Sequence, residues 1–321
     1  MSNEPGNINM PLISICMPAY NCGPFIQQTL ACLCAQSYSN IEIIVVNDGS
    51  TDDTRAQIES ITDQRITLIN LTNGGAAKAR NIAYQHSKGK YIIFFDADDH
   101  VKPDFILQQV KKINDLDDVV VLADWGRFYG DDFNSFVKEA NTYDELFFED
   151  WINDHWHNND PMTTPGRVII PKKIVEQAGP WNESLNLNDD LEFYSRVFLK
   201  AKKILFNHNA TFYYRSGIKG LSSKKGSNAY LSLYKSIQLS TELILAHFGD
   251  NAHIKQSCAN LWQGFVHEVY PYENELTRKA EQNIKALGGA NLPFLAGGYT
   301  KTLATLIGWK LTKKLKNSFK N

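Results

Sequence analysis

Four short polar blocks carry the residue types that handle phosphate, cations and protons. Asp96-Ala97-Asp98-Asp99 directly follows the apolar run 91–95. Carboxylates at the end of a buried strand are costly unless they meet water, hydrogen-bond donors or a cation. One or two of them, completed by substrate phosphates, commonly seat Mg2+ or Mn2+; the alternative is an acidic turn capping the next helix. Asn47-Asp48-Gly49-Ser50-Thr51-Asp52 follows the run 41–46. Asp48 there can accept hydrogen bonds from a nucleobase or ribose, or close an Asx turn. Asn73-Gly74-Gly75-Ala76-Ala77-Lys78-Ala79-Arg80-Asn81 joins a glycine turn to a guanidinium suited to phosphate or carboxylate. A solvated arginine is the plain alternative. Asn188-Asp189-Asp190-Leu191-Glu192-Phe193 opens a helix and offers either an N-cap or a proton acceptor. A helix N-terminus stabilises an anion by about 0.3–1 kcal/mol, so Asp190 is expected to be ionised at neutral pH. Trp181, just upstream, reads as core packing or as a sugar platform, packing being the commoner fate of tryptophan. His155-Trp156-His157 has no Cys or His nearby and reads as exposed loop rather than metal ligands. Neither G-x-G-x-x-G nor G-x-x-x-x-G-K-[ST] occurs, so neither a dinucleotide fold nor a P-loop is supported.

Alternating strands and helices place these blocks. Apolar runs at 12–17, 41–46, 66–70 and 91–95 read as strands. Helical patterns follow at 25–33, 52–61 and 76–86, and again after Pro103, which suits a first helical turn. Such βαβ units imply an α/β fold with a mainly parallel sheet, whose ligands lie beyond the carboxyl ends of the strands. Pro18 to Asn21, Asn47 to Ser50 and Asp96 to Asp99 all fall at such ends. Residues 143–159 read as an acidic, aromatic helix or lid, 167–170 as a strand, 172–178 as a short helix stopped by Gly179, and 191–201 as a helix. Beyond Gly226 the pattern is helical throughout, so the expected division is a catalytic domain over 1–225 and a helical region over 226–321.

In combination these blocks resemble glycosyltransferase family 2, an inverting group with the GT-A fold. The resemblance is carried by Pro18-Ala19-Tyr20-Asn21, Val46-Asn47-Asp48-Gly49-Ser50-Thr51-Asp52, Asn73-Gly74-Gly75 with Ala79-Arg80-Asn81, Asp96-Ala97-Asp98-Asp99, and Asp189-Asp190 before Leu191-Glu192-Phe193. Order and spacing both match, over residues 12–215. It implies a metal-dependent transferase moving a sugar from a nucleotide diphosphate, a UDP-sugar, to a hydroxyl on a glycan or lipid-linked acceptor in bacterial polysaccharide or lipid-linked glycan assembly. Pro18, Ala19, Tyr20 and Asn21 would then line the donor, with Tyr20 against the nucleobase and Asp48 bonded to it. Arg80 would border the nucleotide. Asp96 and Ala97 would lie on the ribose side, and Asp98 would ligate Mn2+ or Mg2+ on the diphosphate. Asp190 would be the catalytic base, with Trp181 and Asp189 on the acceptor side. The chain departs from the family in having Asp189 where Glu is common, and in lacking a His within 216–223; Lys219 there, or Lys224 or Lys225 just after, remain to meet a diphosphate. A nucleotidyltransferase, and a nucleotide-sugar-binding module without catalysis, are the rival readings.

Composition bounds the rest. The chain has 321 residues, longer than one typical domain of roughly 100–200 residues. It carries 33 basic against 35 acidic side chains, which argues against nucleic acid as a partner. Residues 1–10 lack the basic and apolar regions of a secretory signal, and no apolar run approaches the roughly 18 residues that cross a bilayer. Five cysteines without a C-x-x-C pair suggest reduced, mostly buried thiols and a cytoplasmic setting. Residues 291–321 hold six lysines and no acidic residue, and Leu303, Ile307, Leu311, Leu315 and Phe319 recur at helical spacing beside Trp309. That tail is expected either to lie on the inner face of an anionic membrane or to pack on the protein with a solvated lysine face.

Overall fold

The computed structural model describes residues 10–161, 163–218, 220 and 225–318. Lys219, Lys224 and Phe319, and the segment 1–9, lie outside the described residues. The elements run β1 (Ile13–Ala19), α1 (Gly23–Cys34), β2 (Ile41–Asn47), α2 (Thr54–Glu59), β3 (Ile66–Asn70), α3 (Ala76–Gln85), β4 (Tyr91–Phe94), β5 (His100–Val101), α4 (Phe105–Ile113), β6 (Val119–Tyr129), β7 (Asp132–Lys138), β8 (Glu145–Leu146) and α5 (Phe148–Trp151). A π-helical turn (Ile152–Trp156) and a 3-10 turn (Pro165–Arg167) lead to β9 (Val168–Pro171), α6 (Lys172–Ala178), α7 (Asp189–Lys200) and β10 (Lys203–Ser216). Five helices follow: α8 (Ser227–Phe248), α9 (Ala252–Val269), α10 (Asn274–Ala286), α11 (Tyr299–Ile307) and α12 (Trp309–Ser318).

The described residues form two compact units. One comprises the described residues within Met1–Phe148 and Thr163–Gly220, the other those within Glu149–Met162 and Leu221–Asn321. The aromatic stretch after Phe148 therefore groups with the helical region.

The first unit is built on a ten-stranded sheet of order β3-β2-β1-β4-β9-β6-β10-β5, with β7 on β6 and β8 on β10. β1 to β4 pair in parallel, as Val- and Ile-rich strands joined by helical crossovers must. β9 then runs antiparallel to β4 and β6, and the long strands β6 and β10 pair in parallel beyond it. Pro18 sits inside β1 without breaking it. The Phe95 N–H donates to the Cys16 carbonyl at 3.0 Å, and residues two apart face the same neighbour. Pro18 thus faces the β4 side just past the last β1–β4 pair at Cys16, where a missing N–H costs the ladder nothing. α3 lies on β1 and β2 through Ala77, Ala79 and Ala83, all buried; their short side chains bring the helix close enough to carry Arg80 and Asn81 inward.

In the second unit the tail is not one stripe. Gly308, at φ +80°, separates α11 from α12. α12 is held by Trp309, stacked on Phe294 and edge-on to His267 and Tyr270, and by Lys310 paired with Glu281 at 2.5 Å. Leu303, Ile307, Leu311 and Leu315 stay exposed. No helix of the described residues is long and apolar enough to cross a membrane. The five cysteines are free thiols.

Candidate active site

The carboxyl ends of β1 and β2 are stitched together by their own loops. Asp48 N–H donates to the Ala19 carbonyl at 2.8 Å. Asn21, at φ +48°, accepts from the Thr51 N–H at 2.8 Å and donates its own N–H to Ser50 Oγ at 3.0 Å. Ala19 is buried, Pro18 half-buried and Tyr20 exposed, its ring open to a ligand. Asp48 is buried, and its two carboxylate oxygens accept from the N–H groups of Gly74 (2.7 Å) and Gly75 (2.8 Å). Gly49 needs its left-handed backbone (φ +71°), and a Cβ there would lie 2.7 Å from the Asn73 nitrogen. Asp48 thus clamps the glycine turn, and a carboxylate with about four acceptor positions keeps capacity beyond these two bonds.

Arg80 is the hub. It is 5% exposed, and its guanidinium donates to Asp96 Oδ1 at 2.8 Å and to Asp189 Oδ2 at 2.7 Å. The same group lies 4.5 Å from the Trp181 ring centroid. Burial disfavours its charge, but the carboxylates of Asp96, Asp189 and Asp190 outweigh that and hold it more firmly protonated than an ordinary arginine. The guanidinium is thus committed to two carboxylates, one in the strand-end turn and one on α7.

Trp181 corrects an expectation. It is 2% exposed, stacked 4.0 Å from Phe193 and edge-on to Phe94 at 5.2 Å, so burial leaves it no free face for an acceptor sugar. Asn81 pins it, donating to the Trp181 carbonyl (3.0 Å) and accepting from its N–H (2.8 Å). Its role is to form the aromatic floor beneath Arg80.

At the end of β4, Ala97 and Asp99 are buried while Asp96 and Asp98 are half-buried. Arg215 secures this turn. Its N–H donates to Asp99 Oδ1 at 2.9 Å and its Nε to the Asp98 carbonyl at 2.6 Å, while Gln28, Gly130 and Asp131 hold the rest of the guanidinium. Burial and the neighbouring Asp96 charge push the Asp98 carboxyl up to about 7. Among the described residues Asp98 has no ion-pair partner. No group of three or more His, Cys, Asp or Glu side chains among those residues is arranged to hold a metal by itself.

Asp190 lies in the first turn of α7, beside Asp189. Burial and the Asp189 carboxylate push its carboxyl well above the usual range, against the pull of Arg80. The helix N-terminus favours the ionised form by about 0.3–1 kcal/mol, and desolvation and a like charge oppose it. The sign of the pH dependence follows. If Asp190 serves as the base, which works deprotonated, activity is lost as pH falls through its raised pKa. The acidic limb of kcat/KM is expected above the ordinary carboxylate range of about 4, and Asp190→Asn should abolish that limb.

The profile of Glycosyl transferase family 2 matches residues 14–179, just over half of the chain. The chain belongs to that family. As a family 2 glycosyltransferase it is 28% identical over 214 residues to Glycosyltransferase GlyG of Streptococcus pneumoniae serotype 4, covering 64% of this chain and 70% of GlyG. It is 30% identical over 226 residues to an uncharacterized glycosyltransferase of Haemophilus influenzae, covering 69% of this chain and 86% of that one. Its fold is similar to the crystal structure of S. aureus TarS 1-349 in complex with UDP-GlcNAc, with a TM-score of 0.69 and 22% identity over 86% of this chain and 81% of that one. The architecture is the α/β GT-A fold that the motifs implied.

Three residues of this glycosyltransferase escaped the motif reading. Arg215, Asn81 as a backbone clamp, and Tyr194, which donates to the Pro165 carbonyl at 3.2 Å beneath the acidic cluster, all act across more than twenty positions of sequence. Asn81 stood within a motif, but its type there carried no hint of a partner 100 positions away.

Proposed function

We propose that this glycosyltransferase transfers a sugar, with inversion, from a UDP-sugar to a hydroxyl of a glycan or lipid-linked acceptor. One observation carries the reading: Arg80 ties Asp96 of the strand-end turn to Asp189 beside Asp190. Nucleotide edge and proton acceptor then belong to one ion-paired cluster. The structures of TarS with UDP-GlcNAc and with UDP support the choice of donor. Bacterial polysaccharide or lipid-linked glycan assembly, on the cytoplasmic side of the membrane, is the setting that family membership supports.

The donor set suits a hard divalent cation, Mn2+ or Mg2+. Asp98 offers a carboxylate without an ion-pair partner among the described residues, next to a second carboxylate at Asp96; substrate phosphates complete such sites. When bound, the cation stabilises negative charge on the departing diphosphate. Tyr20 offers its exposed ring to the base, and Asp48 its remaining acceptor positions. Arg80 holds Asp96 and Asp189 in place. Asp190 takes the proton of the attacking hydroxyl as the new bond forms.

Calorimetry with UDP tests this reading. Affinity should require Mn2+, vanish in EDTA, and be lost in Asp98→Ala with the fold intact by circular dichroism. Equal UDP affinity with and without EDTA contradicts it.

A further inference from the structure

Within the helical unit lies a cavity of about 370 Å3, in the range of small-ligand sites. Its lining includes Lys225, Lys313 and Lys316, the aromatic pair Tyr230 and Tyr272, and one acidic residue, Glu268. The lining thus carries three lysines against one acidic residue. Lys313 is held in position rather than dangling. Its ammonium donates to the carbonyls of His267 and Glu268, the latter at 2.8 Å, at the last turn of α9. Two of its three N–H groups are thereby used, and one remains for a ligand. Burial and the nearby charges of Lys225 and Lys316 push this lysine down, with Glu268 opposing. An anion in the cavity would relieve that repulsion. Tyr230 and Tyr272 stack nearly parallel, 6.2 Å apart, and give the cavity an apolar wall. Lys225 and Lys316 are exposed and carry no ion pair among the described residues.

We propose that this cavity binds a phosphate group, as a free phosphate compound or as the headgroup of an anionic lipid. Lysine is a point-charge binder of phosphate, and three converging ammonium groups match a multiply charged oxyanion better than a single carboxylate. The lipid source is favoured by α12, which bears Lys313 and Lys316, and by α11 before it in the chain. Leu303, Leu306, Ile307, Leu311 and Leu315 on α11 and α12 are all exposed, an apolar surface suited to acyl chains. Each lysine near an anionic surface adds attraction that salt screens.

The test uses the full chain in EDTA, so that cation-dependent nucleotide binding does not contribute. Calorimetry with inorganic pyrophosphate is run beside flotation on vesicles of phosphatidylglycerol and of phosphatidylcholine. The variants are Lys225→Ala/Lys316→Ala, the conservative Lys313→Gln, and the charge-matched control Lys301→Ala/Lys314→Ala. The expected result is binding of pyrophosphate, of phosphatidylglycerol vesicles, or of both, weakened at least tenfold by Lys225→Ala/Lys316→Ala. The control should bind as the unaltered chain does, and melting temperatures should be unchanged. Response of the vesicle arm alone assigns the site to lipid headgroups; response of both arms assigns it to phosphate in general. Absence of binding in both arms overturns the proposal. Equal loss in the control variant does so too, since attraction would then be diffuse and not seated in the cavity.

Discussion

Asp190→Asn is expected to lower kcat by roughly 10²–10⁴-fold, the usual contribution of a positioned general base, with donor binding and melting temperature little changed. Asn keeps the size of Asp and its capping ability but cannot take a proton. Burial and Asp189 push the Asp190 carboxyl up, so a neutral amide at this position relieves the same opposition to charge. The neighbouring carboxylates are poorer choices for the base. Asp189 is paired with Arg80 at 2.7 Å, and Glu192 with Arg196 at 2.7 Å. Steady-state kinetics and thermal melts on the same preparation decide between roles. Retained turnover in Asp190→Asn would make Asp190 structural.

The largest stability effect is expected at Arg80. Arg80→Met removes the one cation between Asp96 and Asp189, leaving two carboxylates and Asp190 in mutual repulsion. Breaking a buried ion pair on one side costs about 3–5 kcal/mol, and the contact over Trp181 is lost as well. Arg80→Lys should recover only part of this, since a lysine presents no planar fork to reach two carboxylates while lying on an indole. Urea unfolding monitored by tryptophan fluorescence measures both. A loss under about 0.5 kcal/mol for Arg80→Met, the scale of an ordinary surface change, would show that the cluster does not depend on Arg80.

The parts of this molecule that could be read from sequence are those encoded locally. β1 to β4 and the turns after them are short apolar runs followed by Asn, Asp and Gly, and both periodicity and turn chemistry mark them. The acidic turn at Asp96 to Asp99 and the α7 opening at Asp189 were visible for the same reason. What escaped is set by pairings between distant positions. Arg80 meets Asp189 across 109 positions and Asn81 meets Trp181 across 100, so no spacing rule turns a projecting guanidinium into a buried hub. β6 and β10 went unrecognised because their inward and outward residues do not alternate cleanly: β6 is buried along nearly its whole length, and β10 carries a bulge between Asn207 and Thr211. The opposition to charge at Asp190 is not legible in sequence, because the helix dipole is a local signal while desolvation is a tertiary one. In the tail, helical spacing continued across Gly308, but its positive φ divides the stripe into two helices.

The most direct test of the account is thermal melting of the full chain with Mn2+ against a panel of UDP-sugars, UDP and nucleoside triphosphates. A ligand present at 100 times its Kd should stabilise by about 2.7 kcal/mol. At least one UDP-sugar is predicted to raise the melting temperature in the unaltered chain and in Asp190→Asn, but not in Asp98→Ala. Stabilisation by nucleoside triphosphates alone, or an undiminished UDP-sugar shift in Asp98→Ala, would contradict it.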